Sequence, residues 1–131
     1  MKKLFLIIVC MVISFGGLSA QQENKPAKKQ FLYLLRLEKT MLDSSAWTPE
    51  KSEIVSQHFA RLKKMLADGN LILAGRTQVE NDKTFGIVIY EANSFDEAKQ
   101  IAESDPAVKA KIMSVEVYPY EVALMRGEEK K

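Results

Sequence analysis

Three short apolar runs, Leu32-Tyr33-Leu34-Leu35, Leu71-Ile72-Leu73-Ala74 and Ile87-Val88-Ile89-Tyr90, do not alternate apolar with polar residues. They are of strand length, and an antiparallel sheet with one wet face alternates. Both faces of the sheet that these runs build are therefore expected to be dry. Two helices can cover one face only. The other face needs a second copy of the same sheet, or else the runs crowd around a single core.

The pattern between the runs supplies the helices. Phe31 to Leu37 reads as the first strand, and Glu38 to Trp47 as a loop. Thr48-Pro49 opens a helix, with threonine as N-cap and proline at the first helical position. Ile54, Val55, Phe59, Leu62, Met65 and Leu66 recur at three- and four-residue steps along one helical face. Gly69 stands where a helix end wants a left-handed residue. Leu71 to Ala74 is the second strand, Glu80-Asn81-Asp82-Lys83 a polar turn, and Phe85 to Tyr90 the third strand. Ser94 caps a second helix, with Glu97 as its capping-box partner and Phe95, Ala98, Ile101 and Ala102 inward. Asp105-Pro106 stops that helix, and Met113 to Leu124 is the last strand. The order β-α-β-β-α-β predicts an α+β, ferredoxin-like domain: a four-stranded antiparallel sheet with two helices on one face.

The N-terminus has the three-part layout of a secretory signal. Lys2 and Lys3 precede the apolar run Leu4 to Phe15, and Gly16-Gly17-Leu18-Ser19-Ala20 leads into Gln21-Gln22. The run is shorter than the roughly 20 residues that span a bilayer. Residues 1–20 therefore read as a cleaved signal, with an uncleaved anchor as the rival. Residues 21–30 form a polar leader, 31–125 the domain, and 126–131 a charged tail. The mature chain is expected to be exported, periplasmic or secreted, with no stable membrane anchor.

Cleavage removes Cys10, the only cysteine, so the mature domain has no disulfide, thiol nucleophile or thiolate metal site. Without Lys2 and Lys3 the chain carries 17 basic and 17 acidic residues. A neutral domain with interspersed signs has no electrostatic footprint for nucleic acid. Phosphate-loop, nucleotide and nucleophile-elbow motifs are absent, and one histidine makes no structural zinc site.

That histidine, His58, lies four residues after Ile54 and four before Leu62, on the apolar side of the first helix. Imidazole, with an ordinary pKa of about 6.5, is the side chain best suited to proton transfer near neutrality. As a base it needs a partner that fixes its tautomer; as a core residue it needs only satisfied hydrogen bonds. Asp105 can supply the carboxylate, or can simply N-cap a short helix begun by Pro106. A carboxylate has oxygens for both. The Lys39–Trp47 loop, with Met41, Leu42 and Trp47, reads either as a lid over a small pocket or as packing on the domain edge.

His58 with Leu62, Asp68-Gly69-Asn70-Leu71, Ala74-Gly75, the Ser94–Ala102 helix, Asp105-Pro106-Ala107-Val108 and Tyr118-Pro119-Tyr120 occur in an order that resembles the YciI-like (YCII-related) family. The resemblance covers Phe31 to Leu124. It implies a ferredoxin-like fold that pairs into a dimeric α/β barrel, hence a homodimer. It also implies a His–Asp active-site pair, carried here onto His58 and Asp105. Related dimeric barrels act on small lactones and hydroxylated aromatic rings. The sequence departs from the family pattern at Arg76, where proline is frequent, and at Lys111, where glycine is frequent. Both add positive charge near the expected pocket, which suits an anionic ligand. Arg76, Arg36 and Trp47 are the candidate ligand-binding residues, and neither a cofactor nor a metal is expected. The resulting expectation is cofactor-independent acid–base chemistry on a small molecule. The alternative is a non-catalytic ligand-binding or structural dimer module of the cell envelope.

Overall fold

A computed structural model describes residues 27–127. The expected signal (residues 1–20), most of the expected leader and the last four residues of the expected tail lie outside the described residues. Four strands, β1 (Lys29–Leu37), β2 (Leu71–Arg76), β3 (Phe85–Ala92) and β4 (Met113–Pro119), form one antiparallel sheet in the order β2-β3-β1-β4. Helices α1 (Pro49–Ala67) and α2 (Phe95–Glu103) follow β1 and β3, and a one-turn helix, α3 (Pro106–Lys109), precedes β4. This is the ferredoxin-like α+β arrangement expected from the sequence.

Local chemistry sets the element ends. Thr48 Oγ1 accepts the Lys51 N–H at 3.3 Å, and Pro49 occupies the first position of α1. At the other end Gly69 has φ +74, its N–H bonds to the Leu66 carbonyl, and the Asn70 N–H reaches Met65. That pair of bonds is a Schellman closure, which requires a left-handed residue where glycine stands. Ser94 Oγ accepts the Glu97 N–H at 3.1 Å. The Glu97 carboxylate turns back to the Asn93 N–H, one residue before the cap. The last strand is shorter than expected, ending at Pro119. A proline has no N–H for the ladder, and beyond it only the Tyr120 and Val122 amides are tied down, to the backbone and side chain of Gln30.

Burial shows which face the helices cover. Phe31, Tyr33 and Leu35 of β1 and Val88 and Tyr90 of β3 are buried under the helices with Leu62, Leu71, Ala98 and Ala102. Tyr33 and Tyr90 meet edge to face at 5.1 Å, and Tyr90 donates to the Ala98 carbonyl at 2.7 Å. The register places Leu32, Leu34, Ile87, Ile89 and Leu73 on the opposite face, where Ile89 is buried among its neighbours and the others are half-buried or exposed. The runs fail to alternate because both faces are apolar, and within one chain the helices cover only one of them.

Two assignments to the inner face of α1 need correction. Phe59 is 57% exposed and Leu66 59%. The true inward stripe runs through Ile54, Val55, His58, Leu62 and Met65. Phe59 and Leu66 each follow one of its residues directly, and at 3.6 residues per turn that single step rotates them about 100° away.

The expected loop between β1 and α1 folds into two short 3-10 turns, Lys39–Leu42 and Ser44–Ala46. Met41 packs with Ala107 and Ile112 in a second apolar cluster. The Trp47 indole N–H donates to the Met41 carbonyl at 3.1 Å, and Lys51 Nζ reaches the Ala46 carbonyl at 2.8 Å. The segment packs on the domain edge and carries Trp47 to the cleft described next.

Candidate active site

A cleft of about 580 Å3 opens between α1 and the end of the sheet where β1 and β2 finish and β3 begins. Val55, His58, Phe59 and Leu62 come from α1, Trp47 from the preceding turn, and Leu35, Ala74, Gly86 and Val88 from the sheet. Gly86 lies opposite Leu35 and Arg76 in the ladder. A side chain there would occupy the floor beside Leu35, so glycine keeps the cleft open.

His58 is the residue of this lining with acid–base chemistry near neutrality. The residue is 8% exposed. Nδ1 lies 2.6 Å from Asp105 Oδ2, and Asp105 is fully buried. Asp105 Oδ1 accepts the Ala107 N–H at 2.9 Å. The carboxylate thus both N-caps α3 and partners the histidine, one oxygen to each task. Asp105 sits at the turn between α2 and α3, which Pro106 enforces by ending one helix and starting the next. With Nδ1 directed at a carboxylate, the neutral ring carries its proton there. The Nε2 lone pair remains for whatever enters the cleft.

Two further residues complete the cluster beneath the cleft. Arg61, three residues after His58 on α1, brings Nη1 to 3.6 Å from Asp105 Oδ2. Tyr33, on the helix-facing side of β1, is fully buried among these charges. Burial, and then the negative charge of Asp105, push its phenol well above the ordinary tyrosine range. Burial does the same to Tyr90. The sequence reading passed over both Arg61 and Tyr33. Arg61 was findable, since residues at i and i+3 share a helical face; Tyr33 was lost in an apolar run.

The candidate ligand-binding residues are dispersed. Arg76 shares the cleft-side register of Ala74 and stands exposed at the rim. Trp47 is part of the lining. Arg36 borders the open end, but by register it belongs to the outer face of the sheet, with its guanidinium 5.6 Å from the centre of the Phe85 ring. Lys111 is not part of the lining at all. It has φ +55 and holds the left-handed position of a Schellman closure after α3, with Lys111 N–H on Val108 and Ile112 N–H on Ala107. The expectation that it adds charge near the pocket is corrected: its place in the pattern is a backbone position that favours glycine. Among the described residues no group of three His, Cys, Asp or Glu side chains is placed to hold a metal. Nor is any helix among them long and apolar enough to cross a membrane.

A family model described as the YCII-related domain matches residues 30–121. The chain belongs to the YCII-related family. Among solved structures, a YCII-related chain of this shape resembles 5-chloro-2-hydroxyhydroquinone dehydrochlorinase (TftG) from Burkholderia phenoliruptrix AC1100, in complex with 2,5-dihydroxybenzoquinone. The TM-score is 0.53 at 23% identity, covering 70% of this chain and 93% of that one. At that identity the likeness is one of fold. No curated protein matches the chain.

Proposed function

We propose that this YCII-related domain is an acid–base enzyme acting on a small, flat molecule without a bound cofactor, with His58 Nε2 as the group that moves the proton. The observation that carries the reading is the 2.6 Å contact between His58 Nδ1 and the buried Asp105, on a ring that also lines the cleft. A histidine fixed on one side by a carboxylate and facing an apolar cleft on the other is arranged as a general base or acid. The buried aspartate also stabilises the imidazolium that forms when Nε2 takes a proton.

The lining favours a ligand with an apolar body and a polar or anionic edge. Leu35, Leu62, Val88 and Trp47 offer apolar contact, and Arg76 at the rim offers a cation. A hydroxylated ring has that form. The dehydrochlorinase of similar fold is named for such a substrate and was solved with a dihydroxybenzoquinone. The reaction class proposed here is proton abstraction from a hydroxyl or ring carbon that drives elimination or isomerisation.

Two further parts of the reading concern assembly and place. The half-exposed apolar face formed by Leu32, Leu34, Ile87 and Leu73 supports pairing with a second copy, sheet to sheet. The charged, apolar and small-residue sections of residues 1–20 support export with signal removal. Intact-mass analysis of protein exported by a bacterial host checks the latter: the mass should lack the segment ending near Ala20.

The functional test is a panel of chlorinated and hydroxylated hydroquinones and small lactones, assayed with the wild-type domain and His58→Gln. Turnover by the wild type that falls at least a hundredfold in the variant supports the reading. Turnover that survives the substitution overturns it. Saturable binding of 2,5-dihydroxybenzoquinone without turnover across the panel favours the non-catalytic ligand-binding module.

A further inference from the structure

Among the described residues, two buried polar side-chain atoms have no hydrogen-bond partner, the Tyr33 hydroxyl and Arg61 Nη1. Both belong to groups whose charge or dipole acts on Asp105. They point to a role for Arg61 beyond packing.

The guanidinium is clamped. Arg61 Nη2 donates to the Ile101 carbonyl at 2.6 Å and to Ser104 Oγ at 2.8 Å, and Ser104 Oγ donates in turn to Ile101 at 2.8 Å. These bonds fix the arginine head against the last turn of α2. They hold Nη1 3.6 Å from Asp105 Oδ2, the oxygen that meets His58. A lone ionised carboxylate with no exposed surface is costly unless a countercharge accompanies it. A second cation beside Asp105 lessens the demand on the imidazole to supply that countercharge. The ionisable groups facing the pair are Arg61 from α1, Tyr33 from β1 and Tyr90 from β3, with Arg76 of β2 at the cleft mouth. The two phenols are held neutral by burial and bring no compensating charge. Arg76 is exposed at the rim.

We propose that Arg61 is the positioning residue of this site: clamped to Ile101 and Ser104, it supplies the countercharge that lets Asp105 stay ionised beside a neutral His58. It touches no ligand in the cleft and acts through Asp105. The proposal deepens the acid–base reading and rests on it for its consequence, but its readout is the histidine ring itself and needs no substrate.

His58 is the only histidine in the chain, so its ring nitrogens can be followed against pH by 15N NMR without assignment ambiguity. In Arg61→Met the ring should titrate about one pH unit higher than in the wild type, a tenfold rise in the imidazolium-to-imidazole ratio at fixed pH. Arg61→Lys, which restores the charge, should return most of that shift. In an Asp105→Asn background the Arg61→Met shift should shrink, because the coupling runs through the carboxylate. A folded Arg61→Met variant whose His58 titration and tautomer are unchanged overturns the proposal and leaves Arg61 as a pin between α1 and α2. If Arg61→Met does not fold, Ser104→Ala carries the test. That change loosens the clamp at an exposed position, and the titration should move in the same direction by a smaller step; no movement overturns the proposal. Failure of the enzyme reading would look different: no turnover, with the ring titration behaving as described.

Discussion

Asp105 reaches His58 across 47 residues of chain, and the two side chains meet at 2.6 Å with the aspartate fully buried. The contact depends on the turn between α2 and α3. The same carboxylate that starts α3 at the Ala107 N–H presents its second oxygen to α1. Helix capping and histidine orientation are therefore coupled in one residue.

Removing that residue should be expensive. Asp105→Ala strands the Ala107 N–H, the His58 Nδ1 proton and the Arg61 guanidinium in a buried site. A loss of about 3 kcal/mol in urea unfolding is expected, the usual cost of breaking a buried charged pair. Asp105→Asn keeps an oxygen for the cap and the side-chain shape, so its loss should be smaller. Equal losses would show that the charge, and not the shape or the cap, holds this turn.

The outer face of the sheet gives a second prediction. Leu34 lies near its centre, between Ile87 of β3 and Glu116 of β4. Light scattering of the mature domain should return twice the chain mass, and Leu34→Glu should return the single mass by placing a charge in the sheet-to-sheet contact. A monomeric wild type at micromolar concentration would contradict the paired arrangement.

Alkaline stability follows from the two buried phenols. The folded values of Tyr33 and Tyr90 lie above the unfolded value of about 10. The folded state therefore binds more protons than the unfolded chain in that range. The stabilisation is fully present below pH about 10 and is lost as pH rises beyond it. The urea midpoint should fall steeply above that pH, and two of the four tyrosines should form phenolate only as the protein unfolds. Smooth ionisation of all four in the folded state would contradict the burial of these two.

Lys111 offers a test of backbone strain. Left-handed φ costs a non-glycine residue about 1 kcal/mol or more, while glycine loses part of that gain to chain entropy. Lys111→Gly should thus raise stability by about 0.5 kcal/mol in denaturant unfolding, with no change at the cleft. A loss of stability would mean that the lysine side chain contributes contacts that outweigh the strain.

Much of the fold was legible because its signals are local. Thr48-Pro49, Ser94 and Asp105-Pro106 mark helix ends through their own backbone chemistry, and Gly69 marks one through its φ. The apolar runs disclosed two apolar sheet faces because a strand's period is two. The inner face of α1 was read too broadly, since six apolar residues at mixed three- and four-residue steps do not show which of two adjacent stripes meets the sheet. The extent of β4 was missed because Val122 to Leu124 are apolar, whereas Pro119 interrupts the ladder. In the site, His58 and Asp105 were identifiable from residue type and family order, while their contact depended on long-range topology. Arg61 and Tyr33 carry their role only in three dimensions. An arginine on a charged helix and a tyrosine in an apolar run look ordinary until the turn after α2 folds against them.

The central claim is that His58 is held by Asp105 with Nε2 free toward the cleft, and 15N NMR of the single imidazole tests it most directly. The account predicts that the neutral ring of the mature wild-type protein is protonated at Nδ1 and bare at Nε2. In Asp105→Asn it predicts a mixture of the two tautomers and a smaller imidazolium fraction at the same pH, because the carboxylate no longer favours the charged ring. A wild-type ring protonated at Nε2, or one indifferent to the loss of the Asp105 charge, would contradict it.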